Sequence, residues 1–312
     1  MYVCAADDDP GKRTAAAKTT LQRRLPGGAG RSKAAILTLG ERHVEEQGQM
    51  LDQPEKTPLQ QRKLEVQTPV RFDAGRNARA KIGFVLLPND QLVEEDMVRM
   101  APPGVGVYFS RARMPHEIST ATLAQLTGSL AETAGRILPD DRLDVVCLAC
   151  TSGTVAVGEL RVCEELNRGA PNARATSLMG SVTRALETLQ VRRIAVGTPY
   201  AHELTDTVVG YLQDEAGFEI TAYAGLGLDY DRDMVRVTPD YLLEFAASLD
   251  TPEAEALLIS CSALRSLEIV EALEEKIGKP VVVSNQAMMW NCLRLAGIED
   301  SLPGYGALFR HF

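Results

Sequence analysis

Two of the six cysteines sit where a thiol would be useful. Cys150 closes the apolar run Val145–Ala149 and opens onto Thr151-Ser152-Gly153-Thr154. Cys261 closes Leu257–Ser260 and opens onto Ser262-Ala263-Leu264. The two cysteines are 111 positions apart, and a second pair of landmarks, Lys81–Val85 and Arg193–Gly197, is 112 apart. Two landmarks at a matched offset predict a duplicated α/β unit. Ligands of open parallel sheets bind outside the carboxyl ends of the strands, which is where both cysteines fall. A helix starting at each turn would present free N–H groups and a positive dipole end. That arrangement would hold a carboxylate and lower the thiol pKa toward neutrality. Facing halves would place one thiol on each side of a bound carbon acid. One thiolate would take the α-proton and the other thiol would return a proton to the opposite face. The intermediate is an enediolate held by preorganised donors. This chemistry requires neither a metal nor an organic cofactor.

The other thiols read as packing. Cys147 lies three residues before Cys150 on the same strand, so the two point to opposite faces. That also weakens a redox role for the C-x-x-C spacing, whose usual setting is a helix start. Cys163 and Cys292 fall in helices and read as core, and Cys4 lies in a polar prefix. A zinc site needs more than a lone C-x-x-C, and His43, His116, His202 and His311 are scattered. No phosphate-binding loop, complete dinucleotide fingerprint or nucleophile elbow is present. Tyr200, after Thr198-Pro199, could donate its hydroxyl into a site.

The elements that must carry these residues alternate strand and helix from Lys81 onward. Strands are predicted at 82–87, 105–109, 145–149, from 194, at 219–223, 256–260 and 281–284. Helices are predicted at 119–137 (capped by Ser119 or Thr120), 155–166, 182–189, 204–216, 239–248, 266–277 and 288–296. Strands alternating with such helices imply parallel sheets covered on both faces.

The chain has 312 residues, 33 Lys+Arg against 42 Asp+Glu, a net charge of −9 and 5% aromatics. An acidic chain this poor in aromatics lacks both the phosphate-neutralising charge and the stacking platforms of a nucleic-acid binder. No apolar run approaches a membrane span. The charge is uneven: residues 1–80 carry a balance of +4 and residues 81–312 a balance of −13. Residues 1–79 have little apolar periodicity and are expected to be a disordered extension. Six cysteines without a secretory signal suggest the cytoplasm rather than a disulfide framework.

The strand Ile82–Leu87, the turn Ala149-Cys150-Thr151-Ser152, Thr198-Pro199-Tyr200 and Ser260–Leu264 resemble the aspartate/glutamate racemase superfamily. The branch is that of maleate cis–trans isomerases and arylmalonate decarboxylases. The closing stretch Ser284–Gly297, with Leu302-Pro303-Gly304-Tyr305-Gly306, is most similar to the racemase-like family of ectoine and hydroxyectoine utilisation. The resemblance implies two pseudo-symmetric α/β domains, each a parallel four-stranded sheet flanked by helices. Residues 80–190 plus 291–312 would form the first and 191–290 the second, with the site between them. It matches Cys150 and Cys261 to the two catalytic cysteines. It matches Thr151, Ser152, Tyr200 and Ser262, with Ala263 adjoining, to positions that bind a substrate carboxylate. Decarboxylases carry glycine at the first cysteine position, so Cys150 argues against that activity. Maleate isomerases bind a carboxylate through an asparagine in the first strand–helix loop, where this chain places Gln91. A second such asparagine falls around Asp231-Arg232 and is absent. These departures favour a racemase or epimerase acting on an amino or hydroxy acid, with ectoine catabolism as its setting. The alternatives are a maleate-type isomerase with Cys150 as covalent nucleophile, and a non-enzymatic carboxylate-binding or thiol-redox protein. The expected partner is a small carboxylate, and a homo-oligomer remains open.

Overall fold

A near-continuous apolar run can only sit at the centre of a covered sheet, and Ala80–Leu86 is one: of its seven residues only Lys81 is not fully buried. In the computed structural model, which describes residues 68–113, 123 and 125–312, this run is strand β1. It lies between β2 (Val105–Arg111) and β3 (Val145–Leu148), with β4 (Arg174–Ser177) beyond β3, all parallel. The second sheet repeats the order. β5 (Arg193–Tyr200) is flanked by β6 (Glu219–Leu228) and β7 (Ala256–Ile259), with β8 (Val281–Val283) outermost. Ile82 pairs with Val145 in one sheet and Ile194 with Ala256 in the other, so the duplication predicted from two landmarks extends to strand order and register.

Parallel strands need crossovers, and the helices supply them. The first half has α1 (Val93–Met100), α2 (Thr127–Gly135), α3 (Thr151–Val157), α4 (Glu159–Gly169) and α5 (Leu178–Thr188). The second has α6 (His202–Gly210), running into a π turn at Tyr211–Glu215, then α7 (Asp231–Met234) and α8 (Pro239–Ala247). A 3₁₀ turn at Arg265–Ile269 leads into α9 (Val270–Ile277), followed by α10 (Ser284–Leu295) and α11 (Gly306–His311). Helix ends follow side-chain chemistry. Ser177 accepts from Gly180 N at 3.0 Å to start α5, and Thr238 followed by Pro239 starts α8.

The differences from the sequence-based expectation have local causes. The helix expected over 155–166 is two helices, broken at Gly158, whose φ of 86° suits glycine and ends α3. The strand Arg174–Ser177 was not anticipated because its four residues carry no apolar run. The last long helix begins at Ser284 rather than Met288. Its first turn is polar yet buried, and Gln286 Oε1 accepts from Val283 N at 3.1 Å. Of the helix expected over 119–137, α2 covers the end; residues 114–122 and 124, with Ser119, Thr120 and His116, lie outside the described residues. So does the expected disordered extension up to residue 67, with Cys4 and His43.

Along β1 and β3 the side chains alternate between two cores. Ile82, Phe84, Val145 and Cys147 join a core continuous with the second sheet. Val85, Val146, Leu148 and Cys150 face α2 and α4 on the other side. Helix α10 is buried from Ser284 to Leu293 and packs on α5, β3 and β4 as well as on β8. Asn291 pins it there, donating to Thr176 Oγ1 (3.0 Å) and Ser181 Oγ (2.9 Å). No helix among the described residues is long and apolar enough to cross a membrane.

Candidate active site

Each sheet ends in a cysteine two residues past its central strand, β3 or β7. Cys150 leaves the strand with extended backbone (φ −149°, ψ 119°) and caps α3 with its own side chain. Its Sγ accepts from Gly153 N at 3.1 Å, and Ser152 Oγ lies 3.7 Å away. Glycine permits this approach: a Cβ at Gly153 would fall 3.0 Å from the sulfur. Thr154 Oγ1 donates to Cys150 O at 2.7 Å and fixes the turn. Cys261 Sγ accepts from Ala263 N at 3.2 Å. The chain past Cys261 enters a turn and the 3₁₀ segment rather than an α-helix, so its donor sits two residues on instead of three. Tyr200 is close enough to Cys261 and Cys150 for both thiols to act on its ionisation.

Both thiols are 3% exposed. The expectation of a lowered thiol pKa is corrected by this burial. Desolvation pushes Cys150 up to about 11, with Asp231 and Asp90 adding to it, against the opposing Gly153 N–H and Ser152 hydroxyl. Desolvation likewise pushes Cys261 up to about 12, against Tyr200 and the Ala263 N–H. A short helix start contributes a fraction of an elementary charge, which is outweighed by removal of the thiolate from water. Burial also holds Tyr200 well above the usual phenol range.

A cleft of about 720 Å³ is lined by the β1–α1 loop (Pro88–Gln91), Arg111, and Tyr230–Arg232 before and within α7; its carboxylates are close enough to the thiols for their charge to act on Cys150, and that of Asp231 on Cys261. Asp90 and Asp231, 6% and 9% exposed, are its buried carboxylates. Asp90 Oδ1 accepts from Leu92 N (3.1 Å) and Val93 N (2.9 Å) and starts α1; burial nevertheless raises its pKa to about 6. Burial raises Asp231 as well. Arg111 is tied down by the carbonyls of Leu87, Pro88 and Asp90 and by Glu94, so it braces the loop rather than standing in solvent.

The other sequence-predicted residues divide as follows. Gln91 is exposed and lines the cleft. Thr151 and Ser152 are buried beside Cys150; Thr151 Oγ1 lies 3.5 Å from Ser284 Oγ at the head of α10. Ser262 is held through its carbonyl by Asn285 Nδ2 (3.0 Å), and Ala263 contributes its N–H. Asn285 was not singled out from sequence; its amide also donates to Asp96 Oδ2 at 2.8 Å, joining the Cys261 turn to α1. Asp231 stands where the family resemblance expects a carboxylate-binding asparagine, whereas Asp90 was not singled out; only the fold brings their two loops to one cleft. Cys147 and Cys292 are fully buried, whereas Cys163, expected in the core, is partly buried. His202 is 87% exposed and pairs with Asp206. Among the described residues no three of His, Cys, Asp and Glu converge in a group able to hold a metal ion.

A family model described as arylmalonate decarboxylase matches residues 115–309. The maleate isomerase of Nocardia farcinica is 30% identical over 242 residues, covering 74% of this chain and 95% of that protein. The arylmalonate decarboxylase of Bordetella bronchiseptica is 32% identical over 145 residues, covering 46% of this chain and 60% of that protein. Among solved structures, a cysteine-to-serine mutant of the Nocardia farcinica maleate cis–trans isomerase with a covalently bound succinylcysteine intermediate superposes with a TM-score of 0.68. It is 28% identical, covering 75% of this chain and 99% of that one.

Proposed function

Because the chain belongs to the arylmalonate decarboxylase family, and the relatives it matches include maleate isomerases, we propose that it isomerises a small unsaturated carboxylate by reversible addition of Cys150. The observation that carries this reading is the pair of buried thiols at matched strand ends, close enough to the cleft's carboxylates to feel their charge. In the forward step the Cys150 thiolate forms a C–S bond to the carbon β to the carboxylate. The π electrons move onto the carboxylate as an enediolate, and Cys261 delivers a proton to the α-carbon. Rotation about the new single bond, return of that proton to Cys261 and expulsion of Cys150 complete the reaction. Cys150 is assigned the nucleophile because it caps a helix start, with Gly153 N and Ser152 Oγ beside its sulfur. Cys261, followed by a turn and a 3₁₀ segment rather than an α-helix, is assigned the proton donor. Thr151, Tyr200 and Ser262 are the donors assigned to the carboxylate, while Ser152 and the Ala263 N–H serve the sulfurs and Gln91 stands farther out, on the cleft wall. With a pKa of about 11, forming the Cys150 thiolate at pH 7 costs about 5 kcal/mol, so bound substrate must supply part of that.

The two-thiol epimerisation at a saturated α-carbon, the first expectation from sequence, is the second reading. What favours it is the near-equivalence of the cradles, each sulfur holding one backbone N–H at 3.1 or 3.2 Å. The similarity of 284–306 to the ectoine-utilisation family would place its substrate among amino or hydroxy acids of that catabolism. The relatives, including one with a covalent succinylcysteine, favour addition. The two separate in one experiment. A panel of cis-but-2-enoates differing in the group on the fourth carbon is incubated with wild type, Cys150→Ala and Cys261→Ser. Addition predicts a mass adduct on Cys150 that accumulates in Cys261→Ser, and loss of turnover in Cys150→Ala. Full turnover in Cys150→Ala would end the nucleophile assignment. Deuterium entering saturated α-positions from heavy water, with no adduct, would favour epimerisation.

A further inference from the structure

The cleft contains a carboxylate with nothing to bind. Asp231 is 9% exposed and lines the cavity, yet among the described residues its carboxylate has neither a hydrogen-bond donor nor a cation partner. Burying an unpaired charge is costly, and such a group normally has a counter-charge. Across the cleft stands Asp90, 6% exposed, whose Oδ1 is used by two backbone N–H groups while Oδ2 has no donor among the described residues. The two carboxylates are near enough for each to act on Cys150, and Asp231 acts on Cys261 as well.

The cations nearby form no ion pair with either among the described residues, although Arg111 attracts Asp90 from a distance. Arg111 spends its guanidinium on three carbonyls and Glu94. Arg232 is 74% exposed; it stacks on the Tyr230 ring at 4.6 Å, and the carboxylate within reach is Asp233 at 3.9 Å. Two buried carboxylates facing one cavity repel a second carboxylate and attract a compact cation with several N–H donors.

We propose that Asp90 and Asp231 form a seat for an ammonium group, so that the substrate is a zwitterionic amino-carboxylate rather than a dicarboxylate. This rests on the reading that the cleft over Cys150 and Cys261 is the active site, and it names the substrate's far end. The carboxylate end lies toward the thiols and the ammonium end toward the β1–α1 and α7 loops. An ammonium placed there also offsets the negative charge that opposes thiolate formation, so the correct substrate helps to ionise its own nucleophile.

The test compares two probes of similar length that share one carboxylate, 4-aminobutyrate and succinate, by titration calorimetry. The proteins are wild type, Asp231→Asn and Asp90→Asn/Asp231→Asn. Asparagine keeps the Oδ1 acceptor that starts α1, and among the described residues Asp231 has no partner to lose, so the fold is expected to be preserved. Wild type is expected to bind 4-aminobutyrate at least tenfold more tightly than succinate, with Asp231→Asn reducing that ratio and the double variant abolishing or reversing it. Equal or tighter succinate binding by wild type, binding of neither probe, or a ratio unchanged in the double variant would overturn the proposal. Protection of Cys150 from iodoacetamide by 4-aminobutyrate separates this from failure of the underlying reading. An ammonium preference that depends on both aspartates without protecting Cys150 keeps the seat and removes the thiols from its cleft.

Discussion

The ionisation of Cys150 is the quantity on which the chemistry turns, and alkylation kinetics measure it. Titrating the protein from pH 7 to 10 with iodoacetamide, and following the Cys150 peptide by mass spectrometry, reports the thiolate at that position alone. Burial, reinforced by Asp231 and Asp90, places the pKa at about 11 against an ordinary 9.0. At pH 7 that leaves about one thiolate in 10⁴, roughly a hundredfold fewer than an unperturbed thiol. The more basic sulfur is the better nucleophile, which returns a factor of about 6 to 10. The free protein should therefore alkylate at Cys150 on the order of 10 to 15 times more slowly than an unperturbed thiol, before any steric hindrance. The logarithm of the rate should climb with unit slope through pH 10. Asp231→Asn removes one of the negative neighbours and should raise the rate at pH 7 several-fold. A plateau reached below pH 9 would refute the reasoning, because the Gly153 N–H and Ser152 hydroxyl would then outweigh desolvation.

Two further substitutions test how the site is held. Asn285→Ala strands a buried acceptor, Asp96 Oδ2, and a partly buried one, Ser262 O, and should cost about 1–3 kcal/mol in urea unfolding; a loss under about 0.5 kcal/mol would mean water replaces the amide. Gly225→Ala would place a Cβ 2.4 Å from both Tyr200 O and Thr205 Oγ1, so it should move the Tyr200 turn and cost more than about 1 kcal/mol. Thermal unfolding and isomerase turnover should fall together, and an unchanged melting temperature would contradict the packing.

The duplication was legible because each strand's apolar run and its terminal small-residue turn are written contiguously, as at Val145–Thr151 and Leu257–Ser262. The same contiguity located both thiols. Their ionisation was not legible, because it depends on how completely other segments exclude water from each sulfur. Helix termini can be read from a few residues, whereas desolvation requires the folded surroundings. The pairing of Asp90 with Asp231 was not legible for a related reason. They are 141 positions apart, at the ends of unrelated strands, and meaningful only once β1 and β6 deliver their loops to one opening. Asn285 illustrates the converse: it lies inside a stretch already quoted for its resemblance, but its task of tying the Cys261 turn to Asp96 is invisible without the packing of α10.

The near-equivalence of the two thiol cradles creates an ambiguity of polarity. A small ligand lying between two such sulfurs could be turned end for end and still meet a thiol and a backbone N–H on each side. Its stereochemical outcome would then be undefined. Three groups that have no counterpart across the repeat break the tie: Tyr200 marks the Cys261 side, while Asp90 and Asp231 mark the mouth. A duplicated scaffold thus obtains a reaction with a single handedness from the few places where its copies have ceased to match.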